Sequence, residues 1–157
     1  MALVPQRRDD IHRFLHPSGV AIVGGIDRSL SEDATRARYD TLYGADNWYL
    51  VSPKGGAVGS IPVYATLDDV PGDIELAVLS TPPAACAELV EQCGARGVRF
   101  VIVFSSGFSE VGGEGVELER ALAEAGRRAG GRIFGPNTNT NAFEPQPEIP
   151  GDRHGKI

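Results

Sequence analysis

Trp48-Tyr49-Leu50-Val51-Ser52-Pro53-Lys54 is an apolar run of strand length that stops at a proline turn and leaves a lysine just beyond it. Working back along the chain, Gly19-Val20-Ala21-Ile22-Val23 is a second such run, ending in Gly24-Gly25. Working forward, Ile74-Glu75-Leu76-Ala77-Val78-Leu79 and Val98-Arg99-Phe100-Val101-Ile102-Val103-Phe104 are nearly continuous in apolar character. A strand covered by helices on both faces reads that way, because neither face meets water. The predicted strands are 19–24, 48–52, 74–80, 98–104 and 132–134, with the third and fourth in the centre of the sheet. Between them, Cys86, Leu89, Val90 and Cys93 recur at helical spacing on one face, and Gly94 is placed to end that helix. Leu118, Ala121, Leu122 and Ala125 repeat the pattern, while Glu124 precedes Arg127 and Arg128 at a favourable spacing on the solvent side. Ser31 to Tyr43 forms the first crossover helix. This alternation predicts an α/β fold, Rossmann-like and doubly wound, with a mainly parallel sheet and helices on both faces.

Smaller features fill the connections. Ile61-Pro62-Val63-Tyr64 reads as an edge strand, since Pro62 has no amide hydrogen to donate to a neighbour. Thr66-Leu67-Asp68-Asp69-Val70-Pro71 reads as a single helical turn. Residues 1–12 form a polar N-terminal arm to a domain spanning 1–144, and 145–157, with Pro145, Pro147 and Pro150, reads as a linker toward a following domain.

At 157 residues with 41% hydrophobic content, the chain can bury one sizeable core and is too short for two ordinary domains. Its formal net charge of -6, with no cluster of lysine and arginine, argues against nucleic acid or an anionic membrane as a partner. No apolar stretch reaches the length of a signal peptide or a membrane span, so the expected location is the cytoplasm. Cys86 and Cys93 sit two turns apart on one helix, which puts their α-carbons about 10 Å from each other, too far for a disulfide. Both are expected to be reduced core thiols.

In parallel sheets of this kind ligands bind beyond the carboxyl ends of the strands, so the residues that follow each strand decide the chemistry. Gly24-Gly25-Ile26-Asp27-Arg28-Ser29 is a glycine turn that lets backbone approach a phosphate, with Arg28 and Ser29 as donors, although it lacks full G-x-G-x-x-G spacing. A NAD-binding fold places an acidic residue after its second strand to hold a ribose hydroxyl; here Ser52-Pro53-Lys54 offers a cation. That exchange predicts a nucleotide whose sugar carries an extra phosphate, and coenzyme A and NADP both meet the description. Ser80-Thr81-Pro82-Pro83 starts a helix and presents proline surface to an adenine ring. Ser105-Ser106-Gly107-Phe108 and Gly135-Pro136-Asn137-Thr138-Asn139-Thr140-Asn141 add hydroxyls, amides and flexible backbone. Each segment is also compatible with an ordinary strand-to-helix turn, and Lys54 with a solvated surface lysine. No catalytic residue is assigned. His12, His16 and His154 fall in the terminal segments, no nucleophile has an adjacent base, and no metal-ligand spacing appears.

Taken in order, Pro17-Ser18-Gly19-Val20-Ala21-Ile22-Val23-Gly24, Val51-Ser52-Pro53-Lys54, Leu67-Asp68-Asp69-Val70-Pro71, Ala77-Val78-Leu79-Ser80-Thr81-Pro82-Pro83, Ser106-Gly107-Phe108-Ser109-Glu110 and Gly135-Pro136-Asn137 resemble the CoA-binding domain of the NDP-forming acyl-CoA synthetases, the family of the succinyl-CoA synthetase alpha subunit. The likeness covers residues 13–144. It implies coenzyme A as the ligand. Gly24, Gly25, Ile26 and Arg28 would meet its phosphates, and Ser52, Pro53 and Lys54 its 3'-phosphorylated ribose. Thr81, Pro82 and Pro83 would meet the adenine, and Ser105, Ser106, Gly107 and Asn137 the pantetheine arm. It further implies an acid-CoA ligase in which this domain positions the thiol for attack on an acyl phosphate, working with phosphohistidine and ATP-grasp domains in the same or a partner chain. The ending His154-Gly155-Lys156-Ile157 resembles the start of such a further domain, and this stretch alone would bind CoA and turn nothing over. Two departures are visible: Ser29-Leu30-Ser31-Glu32-Asp33-Ala34 replaces the family's further glycines, and Thr138-Asn139-Thr140-Asn141 replaces its Cys or Thr followed by glycine. The alternatives to a ligase are a CoA-responsive regulatory module, for instance one attached to an acyltransferase, and an NADP-binding oxidoreductase domain.

Overall fold

The computed structural model of the protein describes residues 5–138. In chain order these form α1 (Pro5–Leu15), β1 (Val20–Gly24), α2 (Glu32–Tyr43), β2 (Trp48–Val51), β3 (Ala57–Val58), β4 (Ile61–Tyr64), β5 (Leu76–Ser80), α3 (Pro83–Ala95), β6 (Phe100–Val103), a short 3₁₀ turn (Ser109–Val111), α4 (Glu114–Ala129) and β7 (Arg132–Phe134). The seven strands lie in the order β3-β4-β2-β1-β5-β6-β7, and every pair is parallel except β3 with β4. Leaving β3 aside, this is the strand order of a doubly wound dinucleotide-binding sheet.

The continuous apolar runs have a simple cause. Within each central strand, alternate residues serve two separate cores. Ala21, Val23, Ala77, Leu79, Val101 and Val103 pack with Cys86, Val90 and Cys93 of α3 and Leu122 and Ala125 of α4. Val20, Ile22, Leu76, Val78, Phe100 and Ile102 pack on the other face with Tyr39 of α2 and Trp48. The doubly wound, mainly parallel fold expected from sequence is the one observed; of the two strands expected in the centre, β5 lies beside β1 and β6 lies next to the edge strand β7. β5 and β6 begin two residues later than predicted, because Ile74-Glu75 and Val98-Arg99 approach the sheet as loops.

Several local expectations are corrected. The N-terminal arm is largely α1, which lies across the amino ends of the strands. Its Asp10, buried, accepts from Arg132 at 2.6 Å and pairs with Arg99 at 3.3 Å; Arg13 pairs with buried Glu75; Phe14 stacks on Phe134 and meets Phe100 edge-on. β4 is not the edge strand. It sits between β2 and β3, and Pro62 is tolerated because the neighbouring Val63 amide makes the bond, to the Gly56 carbonyl at 2.9 Å. Thr66 to Pro71 is a turn, closed by Asp69 accepting from the Thr66 amide and hydroxyl, rather than a turn of helix.

Gly94 does not end α3. It lies inside the helix where a Cβ would stand 2.6 Å from the Ala129 Cβ of α4, and Gly97, at φ +77°, follows the helix end. Ala121 is exposed, while Leu122 and Ala125 carry the buried face of α4. Arg128 pairs with Glu124 at 3.9 Å but reaches α3 more closely, its Nε donating to Glu91 at 2.9 Å. Cys86 and Cys93 are buried free thiols, and burial pushes the Cys93 thiol up to about 12. Among the described residues no helix is long and apolar enough to cross a membrane. Residues 145–157, expected to be a linker, lie outside the described residues.

Candidate functional site

The chain runs from β1 outward to β2 in one direction and to β5 in the other, so the carboxyl ends of β1 and β5 part at the sheet's topological switch point. A cavity of about 700 Å3 opens there. Its walls are Gly24 and Gly25 at the end of β1, Ser52, Pro53 and Lys54 after β2, and Ser80, Thr81 and Pro82 at the end of β5. Seven of the residues expected from sequence are thus brought together.

Each loop is shaped by a local constraint. Gly24 and Gly25 hold φ of +74° and +60°, and a Cβ on Gly24 would stand 2.5 Å from the Ser80 carbonyl oxygen. Only glycine lets β1 turn away this close to β5. Ser52 to Gly55 is a tight turn closed by the Gly55 amide donating to the Ser52 carbonyl at 2.8 Å, with Pro53 and Lys54 at its corner positions. That geometry carries Lys54 clear of the backbone at the cavity wall. Among the described residues its ammonium group has no carboxylate partner within an ion-pair distance. Pro82 and Pro83 start α3, where a missing amide hydrogen costs nothing.

Arg28 does not line the cavity. Its Nη2 donates to the Gly55 carbonyl at 2.8 Å, which ties the loop after β1 to the turn carrying Lys54. Ser29 is engaged within its own loop, its amide and hydroxyl donating to Asp27 at 2.9 and 2.6 Å. These bonds, the hydroxyl's first, hold the Asp27 carboxyl below its usual range. α2 begins with Glu32 and Asp33, and Glu32 accepts from the Ser60 hydroxyl and amide at 2.6 and 2.7 Å and from Arg36 at 3.2 Å. The Ser60 hydroxyl bond leads in drawing the Glu32 carboxyl down to about 2. Negative charge therefore occupies the start of α2, and positive charge stands beside the turn after β2. Ile26 turns away from the cavity and packs against the core on the α2 face.

Ser105, Ser106, Gly107 and Asn137 form a second group beside the cavity. Ser105 Oγ donates to the Thr81 carbonyl at 2.6 Å and accepts the Thr81 amide at 3.1 Å, so this hydroxyl holds the ends of β5 and β6 together. The Asn137 amide donates to the Ser105 carbonyl at 2.9 Å. Glu110 accepts the Gly107 and Phe108 amides at 2.6 and 3.1 Å, and the Gly107 bond leads in lowering its carboxyl. Gly107, at φ +100°, lies against Pro83: an added Cβ would stand 3.1 Å from the Pro83 ring. Ser106 is exposed. The two groups share the Thr81 to Pro83 segment. Asn139, Thr140 and Asn141 lie outside the described residues.

Sequence reasoning missed the contribution of α3 and of the turn after β4. Ala85, Glu88, Leu89 and Gln92 line the cavity from one helical stripe, and Ala65, Thr66 and Leu67 line it from the other side. Leu89, expected on the core stripe with Cys86, Val90 and Cys93, is only partly buried there and also faces the cavity, and the 85-88-89-92 spacing beside that stripe is the signal that marks the cavity-facing residues. A polar depression of about 490 Å3 at the opposite end of the sheet is lined by Arg13, Glu75, Arg96 and Arg99, and each of these arginines is engaged within the described residues. Arg13 pairs with Glu75, Arg99 with Asp10, and Arg96 donates to the Val70 and Gly72 carbonyls.

Similarity to known proteins follows the same lines. The alpha subunit of an ADP-forming acetate–CoA ligase II from Pyrococcus furiosus is 30% identical over 129 residues, covering 79% of this chain and 27% of that protein. A trans-feruloyl-CoA synthase from an unknown prokaryotic organism is 34% identical over 128 residues, covering 81% and 18%. Among solved structures, the dinucleotide-forming acetyl-coenzyme A synthetase 1 of Ca. Korarchaeum cryptofilum, in complex with phosphate and ADP, superimposes with a TM-score of 0.68 at 32% identity over 82% of this chain and 28% of that one. The chain thus spans between 17% and 29% of the length of the curated acetate–CoA ligases it matches. The family described as CoA binding domain matches residues 19–141, which takes in the whole sheet and every loop around the cavity, and the chain belongs to that family.

Proposed function

We propose that the cavity at the β1–β5 switch point binds coenzyme A, and that the chain serves as the CoA-binding part of an ADP-forming acid–CoA ligase. The observation that carries the ligand is Lys54, a cation without an ion-pair partner among the described residues, on the wall of a largely apolar cavity, at the place where a ribose-binding acid would stand. A 3'-phosphate on the ribose gives that cation a dianionic partner. The adenine fits against Pro82 and Pro53, with Gly24 and Gly25 leaving room for the diphosphate. The pantetheine arm then passes Thr81 toward Ser105, Gly107 and Asn137. Ser105 and Arg28 act in this account as positioning residues: Ser105 holds the strand ends that form one wall, and Arg28 braces the turn that presents Lys54.

The ligase role is supported by the relatives named above. The domain's contribution is to hold the thiol in place, so that attack on an activated acyl group becomes effectively intramolecular. The chemistry of activation would belong to other domains. Calorimetric titration with CoA, 3'-dephospho-CoA and NADP tests the ligand assignment: CoA should bind tightest, with dephospho-CoA about tenfold weaker or more. Preference for NADP, or equal affinity for CoA and its dephospho form, would overturn it.

A further inference from the structure

Four side chains of α3 face the cavity on one stripe: Ala85, Glu88, Leu89 and Gln92. The neighbouring stripe of Cys86, Val90 and Cys93 is buried against the sheet. Ala85 and Leu89, with Pro82 on one side and Pro53 on the other, give the cavity apolar walls suited to a flat ring. Glu88 and Gln92 are different. Both are polar and exposed, they stand one helical turn apart, and the Gln92 Nε2 donates to Glu88 Oε1 at 3.2 Å. A carboxylate only accepts, so its presence decides which end of the Gln92 amide faces it. The bond uses one of the two Gln92 amide hydrogens and leaves the other beside the remaining acceptor sites of Glu88. Together the two side chains present an acceptor next to a donor.

A 6-aminopurine carries the complement on one edge: an exocyclic amino donor next to a ring-nitrogen acceptor. A 6-oxopurine reverses both positions and would bring its carbonyl oxygen against the Glu88 carboxylate. Resting on the reading of this cavity as a coenzyme A site, we infer that Glu88 and Gln92 read the amino edge of the adenine and make the site selective for adenine over 6-oxo bases. The two residues belong to none of the segments that the sequence had pointed to, and they act on the base rather than on the phosphates. Selectivity arises mainly by penalty. The wrong base leaves the carboxylate facing a like partial charge, and loss of a paired donor and acceptor is worth about tenfold or more in affinity.

The experiment is calorimetric titration of the full chain with CoA and with its hypoxanthine analogue, in which the 6-amino group is replaced by oxygen. The unmodified chain should bind the analogue about tenfold more weakly than CoA. Glu88→Ala should bring the two ligands to within about twofold, and Gln92→Ala should narrow the gap without abolishing it. Both positions are exposed on a helix surface, and unchanged thermal unfolding will show that the variants are folded. Equal affinity for the two ligands in the unmodified chain would overturn the inference while leaving the coenzyme A site standing, as would a gap that survives Glu88→Ala. If neither ligand binds, the coenzyme A assignment fails and the inference fails with it.

Discussion

At the scale of single residues, some charges hold the scaffold and others are left for a ligand. Glu32 belongs to the first kind. Its carboxyl is drawn down to about 2, first by the Ser60 hydroxyl, then by the Ser60 amide and Arg36. A carboxyl whose folded value is depressed stabilises the fold above its unfolded value, near 4.5, and loses that contribution as pH falls toward 2. Glu32→Gln should therefore flatten the fall in thermal midpoint between about pH 4.5 and pH 2. Asp27 and Glu110 are lowered as well and will keep part of the slope, so a partial flattening is expected. An unchanged slope would show that the link between α2 and the β3–β4 turn contributes nothing. Lys54 belongs to the second kind, and its position was legible in the sequence because it depends only on where a strand stops and a proline turn begins. The role of Ser105 was not. Its hydroxyl is taken by Thr81, and that contact depends on the register of β6 against β5, which no local pattern states.

At the scale of elements, α3 does three things with three stripes: it packs on the sheet, it walls the cavity, and it meets α4. At Gly94 the two helices approach closely, since a Cβ there would stand 2.7 Å from the Ala129 Cα, a backbone atom that cannot move aside cheaply. Gly94→Ala should destabilise the fold by about 1–3 kcal/mol in urea unfolding, despite the better helix propensity of alanine. Gly97→Ala meets nothing within 4 Å but must hold φ +77°, so its cost, about 1 kcal/mol, comes from the backbone alone. Adding a leucine side chain separates the two mechanisms: Gly94→Leu should cost far more than Gly94→Ala, while Gly97→Leu should match Gly97→Ala. The sequence marked Gly94 as special but for the wrong reason, because glycine at a helix end and glycine at a helix crossing look the same in one dimension. The central strands β1, β5 and β6 were legible because burial on both faces writes an unbroken apolar run, whereas β3, only two residues long, writes none.

At the scale of the whole molecule, the sheet is closed at its amino end by α1 and left open at its carboxyl end. α1 escaped the sequence reading because what fixes it is remote: Asp10 meets Arg132, 122 residues away, and Phe14 meets Phe100 and Phe134. Asp10→Ala should lower stability by about 1.5 kcal/mol, at the low end for charge-assisted bonds, because Arg99 and Arg132 are roughly half exposed and water can replace the lost partner. Ligand affinity should not change, since α1 lies at the far end of the strands. A loss of affinity with Asp10→Ala would mean that the two ends of the sheet are coupled. At the open end, the proposed site has Lys54 meeting the 3'-phosphate of coenzyme A. The direct test is a cycle of four titrations, CoA and 3'-dephospho-CoA each against the unmodified chain and Lys54→Ala. Lys54→Ala should weaken CoA about tenfold or more and leave dephospho-CoA nearly unchanged. Equal losses for both ligands, or none for either, would contradict it.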